Sequence, residues 1–304
     1  MQFRPGPDAA RYLLAGDGKP VAFPFNVRWL LPSVCGTDVA AWWVVWGLSW
    51  PVLGVSVALW ARGMVASWPV AVAAAVFVLA LPGVMQPQST WPVGVDLPAM
   101  AMSAASAACF VHGNWLLAFA FAVWAVGIKE QAPVWIALWV WSPWPLVVLP
   151  VALIAYLVRR PQIDPVTATP LLRRVHDHPV RSAFEHRAQA GGWRNFWLMV
   201  APWSVGVAAL LEPSWQLLAA LAVGYAALLV ATDTVRVYQP PAAPVVALAA
   251  CSVIPEPWLP LALLPVVFVR RPPVTGCDCR SSSRPSAGRP SSVRLQPLQR
   301  VLTK

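Results

Sequence analysis

The chain has 304 residues, 58% of them hydrophobic and only 11% charged, with a net charge of +10. Soluble domains devote about a quarter of their residues to charge, so this composition excludes an ordinary water-soluble enzyme or binding module and points to a lipid bilayer. The positive charge does not mark a nucleic-acid binder either, because it is concentrated in two intervals without an aromatic array or a binding motif.

Those intervals are Arg159 to Arg194, with seven Arg against Asp164, Asp177 and Glu185, and Arg270 to Lys304, with eight cations against Asp278. Lys and Arg in short loops mark the cytoplasmic side, so both are expected there, and the tail can also rest on anionic headgroups of membrane lipid. Many of the 19 Trp sit near the ends of apolar runs or beside Pro, where an amphipathic ring suits the headgroup boundary.

Residues 1–38 form a polar stretch punctuated by Pro and Gly, with no charged cap and apolar segment of the signal-peptide kind. Val39 to Trp60 reads as a first membrane span kinked at Pro51, Arg62-Gly63 as a tight cytoplasmic turn, and Met64 to Gly83 as a second span. Val84 to Asp96 is polar and Pro-rich and returns to water on the opposite face. Leu97 to Val111, rich in Ala, Ser and Met, suits close helix packing and is expected inside the bundle.

His112-Gly113-Asn114 turns the chain, and Trp115 opens an apolar stretch that meets Lys129 and Glu130 too soon to clear the hydrocarbon layer. That pair lies near the end of a helix continuing to about Pro133, or at a break where the next segment begins. Pro143, Pro145 and Pro150 then interrupt Val134 to Val158, which reads as a short re-entrant helix plus a span. After the basic interval, Phe196 to Leu211 and Leu217 to Ala231 form a hairpin closed by Glu212-Pro213-Ser214. Asp233 and Arg236 are spaced to pair on one helix face. Ala242 to Ile254 and Trp258 to Val269 are both short for a span.

The expected fold is therefore all-α: a polytopic transmembrane bundle of about eight or nine membrane helices. Its parts are an N-terminal non-cytoplasmic loop (1–38), a first helix group (39–158), a basic cytoplasmic loop (159–194), a second helix group (195–269) and a disordered basic cytoplasmic tail (270–304). The expected location is the inner (plasma) membrane, crossed several times.

Cys35, Cys109, Cys251, Cys277 and Cys279 make no disulfide framework and no paired ligand spacing. His176-Asp177-His178 with Glu185-His186 fits no zinc signature and reads as a solvated loop. No phosphate-binding loop, dinucleotide fingerprint or serine-hydrolase elbow is present. If Arg62 and the loop from Arg159 are cytoplasmic, alternation gathers Asp8, Asp17, Arg28, Asp38, Asp96, Lys129 and Glu130 on the opposite face. Charges at membrane depth are costly and are usually retained for a site.

Two N-terminal patches, Pro7-Asp8-Ala9-Ala10-Arg11-Tyr12-Leu13 and Pro24-Phe25-Asn26-Val27-Arg28-Trp29-Leu30-Leu31-Pro32, resemble the first external loop of GT-C-type polytopic glycosyltransferases and their bacterial relatives. Lys129-Glu130-Gln131-Ala132-Pro133 resembles an element after a later helix in such proteins. The resemblance implies sugar transfer from a polyprenyl-phosphate donor at the outer face. Asp8 would be the catalytic base or would help to hold a divalent metal ion. Arg28 and Lys129 would neutralise the donor phosphate, and Glu130 and Asp96 would position the acceptor or a metal. A different class, a non-catalytic transporter or membrane scaffold, is compatible with the same pattern, and the three prolines at 143, 145 and 150 suit a transporter's broken helices.

Overall fold

The computed structural model describes residues 8–21, 25–65, 67–81, 93–159, 201–230 and 234–268. Every regular element among them is helical, and no strand occurs. The basic tail and the His176 to His186 cluster lie outside the described residues, as does the side-chain pairing expected of Asp233 and Arg236.

Helix α1 (Ala9–Gly16) and helix α2 (Leu30–Cys35) arise within the N-terminal stretch expected to be a loop. Helix α3 (Val39–Met64) begins where the Asp38 side chain accepts a hydrogen bond from the Ala40 amide at 2.8 Å, which answers one of the first-turn donors a helix leaves open. It does not stop before Arg62-Gly63, as the sequence suggests, but runs through both. It ends at Met64, and Ser67 caps helix α4 (Trp68–Ala80) by accepting from the Val70 amide.

Helix α5 (Asp96–Val111) is buried along most of its length, as its small residues predict. It packs against α3, and Ala101, Ala104 and Ala108 are among its buried residues, small side chains that permit close approach between helices. The turn after it uses Gly113 at φ +76°, and Asn114 caps helix α6 (Trp115–Ile128) by accepting from the Leu117 amide. Ser106 of α5 ties the two helices by donating to the Ala118 carbonyl at 2.7 Å.

Helix α6 ends at Lys129, whose backbone is extended, so the second of the two sequence alternatives holds: Lys129 and Glu130 sit at a break. Helix α7 (Ala132–Val140) then runs only nine residues and ends on Trp141 in the left-handed conformation. Its last carbonyls are answered by side chains. Trp60 donates to the Trp139 carbonyl, Gln216 donates to those of Leu138 and Trp139, and the Trp139 indole donates to the Pro241 carbonyl. A 3-10 turn (Trp144–Val148) leads into helix α8 (Leu149–Val158), with Trp144 stacked on Phe110 beside Trp115.

A 3-10 segment (Ala201–Leu211) and helix α9 (Trp215–Val230) lie on either side of Glu212-Pro213-Ser214. Helix α10 (Thr234–Val253) packs on α4, α7 and α9, and after a 3-10 turn (Glu256–Trp258) helix α11 (Leu259–Phe268) bends away from it. Among the described residues α3 alone is long and apolar enough to cross a membrane by itself. The pair Pro241–Val253 and Glu256–Val267 meets the same test only jointly, bent by 118°. Helices of span length therefore do not match the count of eight or nine: prolines, glycines and charges divide the apolar runs into shorter pieces. Cys35, Cys109 and Cys251 are free thiols.

Candidate functional site

Four of the five residues singled out from the sequence meet at one end of the bundle. Helix α1 carries Tyr12 into the core, where its ring packs edge-on against Phe25 at 5.1 Å and beside Trp42 of α3 at 6.1 Å. A backbone turn at residues 25–27 then brings Arg28 over the α6–α7 break. Its Nε donates to Glu130 Oε2 at 2.8 Å, its Nη2 to Glu130 Oε1 at 2.9 Å, and its Nη1 to the Tyr12 hydroxyl at 2.9 Å. The paired fork on the carboxylate is the strongest geometry available to an arginine.

Lys129 points elsewhere and donates to Asp96 at the start of α5. Both of these side chains are only 4% exposed, and the Lys129 ammonium also lies 5.1 Å from the Trp135 ring centre. Two adjacent residues thus fasten two different segments, the N-terminal stretch through Glu130 and α5 through Lys129.

Burial shapes the protonation of these groups. It pushes the Tyr12 phenol up to about 12, so this side chain is a neutral hydroxyl at physiological pH. Burial also opposes ionisation of Glu130, but the Arg28 guanidinium outweighs it and holds the carboxyl below its usual range. For Lys129 burial wins, lowering the ammonium's pKa against the pull of Asp96.

Asp8 stands at the mouth of α1. Its side chain does not cap the helix; it lies 3.5 Å from Arg11 Nη1 and is 28% exposed, whereas the other four are nearly enclosed. Arg11 in turn lies over the Phe25 ring at 4.9 Å. Tyr12 and Phe25 lie in the two N-terminal patches, and the sequence does not single either out as a site residue. The spacing of Tyr12 four residues after Asp8 on a helix was the signal that could have placed both on one face.

A second set of contacts joins the first residue of the arginine-rich interval to the N-terminal stretch. The arginine-rich interval was expected on the face opposite the N-terminal stretch, yet its first residue lies against that stretch. The Asn26 side chain donates to the Arg159 carbonyl at 2.7 Å, Arg159 Nη2 donates to Ser33 at 3.3 Å, and the guanidinium lies over Trp29 at 5.8 Å. Gly127 makes this seat, since a Cβ there would meet Leu30 and Trp29 at 3.3–3.4 Å. Arg62 belongs to the other end, with its guanidinium 5.6 Å from the Trp68 ring centre, while neighbouring Gly63 adjoins Val111.

A divalent ion is poorly served here. Among the described residues no three His, Cys, Asp or Glu side chains gather, and the nearby carboxylates of Asp96 and Glu130 already hold a lysine and an arginine. In comparisons with protein-family models, curated proteins and solved structures, nothing matches this chain.

Proposed function

We propose that the chain is an integral, multi-pass protein of the bacterial inner (plasma) membrane. The support is the chemistry of its exterior. Val44, Leu48 and Val55 of α3, Leu116, Phe119 and Trp124 of α6, and Leu153, Ile154 and Leu157 of α8 are all exposed. Soluble monomers rarely present contiguous apolar patches larger than a few hundred Å². On this reading the short helices are half-crossings and re-entrant pieces of about eight or nine membrane-embedded segments, their backbone ends satisfied within the bundle. Alkaline carbonate should leave the protein in the pellet; release into the supernatant would remove the membrane assignment.

For activity we favour GT-C-like glycosyl transfer from a polyprenyl-phosphate sugar donor. The observation that carries this reading is the meeting of all three patches behind the resemblance, through Tyr12, Arg28 and Glu130. Asp8 is the catalytic residue: its carboxylate takes the proton of an acceptor hydroxyl while that oxygen attacks the anomeric carbon. The bond from that carbon to the donor phosphate breaks, and polyprenyl phosphate leaves. Arg28, Asp96, Lys129 and Glu130 act as positioning residues, because their charges are spent on one another. Substituting Asp8→Asn should lower turnover of a lipid-linked sugar by about 10²–10⁴-fold, the usual worth of a general base. Unchanged turnover removes Asp8 from the mechanism.

The closure of both ion pairs favours a second reading, a non-catalytic transporter or membrane scaffold in which the cluster only locks the N-terminal segment in place. In that case the wild-type protein turns over no lipid-linked sugar in proteoliposomes.

A further inference from the structure

From the arrangement of charge along the bundle we infer that the end holding the Arg28–Glu130 and Lys129–Asp96 pairs faces the cytoplasm, opposite to the face the family resemblance implies. The inference rests on the membrane assignment above and not on the transferase activity.

The two ends of the bundle are defined by contacts. Trp42, near the start of α3, packs on Tyr12, and Arg62 lies 20 residues later, which is about 30 Å of helical rise. That rise is close to the thickness of the hydrocarbon layer. Helix α5 starts at Asp96 beside Lys129 and reaches Val111 beside Gly63. Helix α6 returns from Trp115 to Lys129. Trp144, stacked on Phe110, lies at the Arg62 end, and α8 carries the chain back to Arg159 against Asn26, Trp29 and Ser33.

The described Lys and Arg side chains divide unevenly between these ends. Arg11, Lys19, Arg28, Lys129 and Arg159 lie at the clustered end, and Arg62 lies at the other. Arg159 also opens the interval with seven arginines, four of which, Arg159, Arg160, Arg173 and Arg174, fall within about 16 residues of the end of α8. Lys and Arg that close to a membrane helix set orientation by resisting translocation. The sequence expectation counted Arg62 and this interval on one side. The structure separates them, and the larger group decides. On the transferase reading, the donor phosphate is then drawn from the cytoplasmic leaflet.

The test uses the full chain with its five cysteines replaced by serine, carrying either Lys19→Cys at the clustered end or His112→Cys at the other. A membrane-impermeant maleimide applied to spheroplasts should label His112→Cys and leave Lys19→Cys unlabelled until the membrane is permeabilised. Inside-out vesicles should show the reverse. Labelling of Lys19→Cys from outside overturns the orientation, as does equal labelling or equal protection of the two positions in both preparations. A protein extracted by carbonate would instead fail the membrane assignment, and Asp8→Asn turnover reports on the activity alone, so the three failures are distinguishable.

Discussion

Lys129 and Glu130 are joined by one peptide bond, yet they close ion pairs on two different parts of the chain: Lys129 on Asp96 of α5, and Glu130 on Arg28 of the N-terminal segment. The extended backbone at Lys129 ends α6 at this point, and the two consecutive side chains leave it toward different partners. A helix break is thereby turned into a double fastening.

Loss of one member should cost far more than loss of both. Glu130→Gln leaves the Arg28 guanidinium enclosed without its counter-charge, and breaking an enclosed pair this way costs about 3–5 kcal/mol. Replacing Arg28 and Glu130 together with Leu removes both charges and should recover most of that loss. Thermal unfolding of the wild type and the two variants in detergent checks the order.

Acid should weaken the same fastening. The folded-state pKa of Glu130 lies below its ordinary value of about 4.3, so its contribution to stability is complete above that value and disappears as pH falls through the folded-state pKa. The gap in melting temperature between wild type and Glu130→Gln should be constant from neutrality down to about pH 5 and shrink below about pH 4.

Tyr12 offers a reading in the opposite direction. Burial holds its phenol up to about 12, so Tyr12 should remain un-ionised at a pH where an ordinary tyrosine, with a pKa of about 10, is an anion. Comparison of alkaline difference spectra of wild type and Tyr12→Phe should show equal absorbance change up to about pH 11. The substitution also leaves Arg28 Nη1 without its acceptor, at a cost of about 1–3 kcal/mol in thermal unfolding.

Helices α1 and α2 touch backbone to backbone at Gly16. A Cβ there would lie 2.6 Å from the carbonyl carbon of Gly36, and backbone cannot swing aside as a side chain can. Gly16→Ala should therefore destabilise the N-terminal segment by about 1–3 kcal/mol, the range for overpacking. Faster limited proteolysis within residues 1–38 would report it without requiring global unfolding.

Some of this arrangement is legible in the sequence. The run from Trp115 has a turn glycine and a capping Asn before it and a charged pair after it, and α6 occupies that interval. The Ala and Ser content of α5 foretells its burial. The Arg28–Glu130 pairing spans 102 positions, and no periodicity specifies a partner at that distance, although both residues stood out as costly charges. Arg62-Gly63 reads as a turn because one is charged and the other breaks helices. The helix continues because Arg62 lays its guanidinium over Trp68, and Gly63 admits Val111 where a Cβ would come within 2.6 Å of it. Helices α1 and α2 escape notice because polar residues, Pro and Gly dominate the stretch, while the few groups they bury, Tyr12 and Leu31 among them, are too sparse to set a period.

The nine-residue helix α7 stops inside the protein because partners from both halves of the chain meet its closing peptide groups, Trp60 from one side and Gln216 from the other. Neither half can be finished alone: severed between them, each fragment would keep an open valence in a dry interior. The two halves of this molecule are therefore bound into a single cooperative object by the blunt tip of its shortest described α-helix after the N-terminal pair.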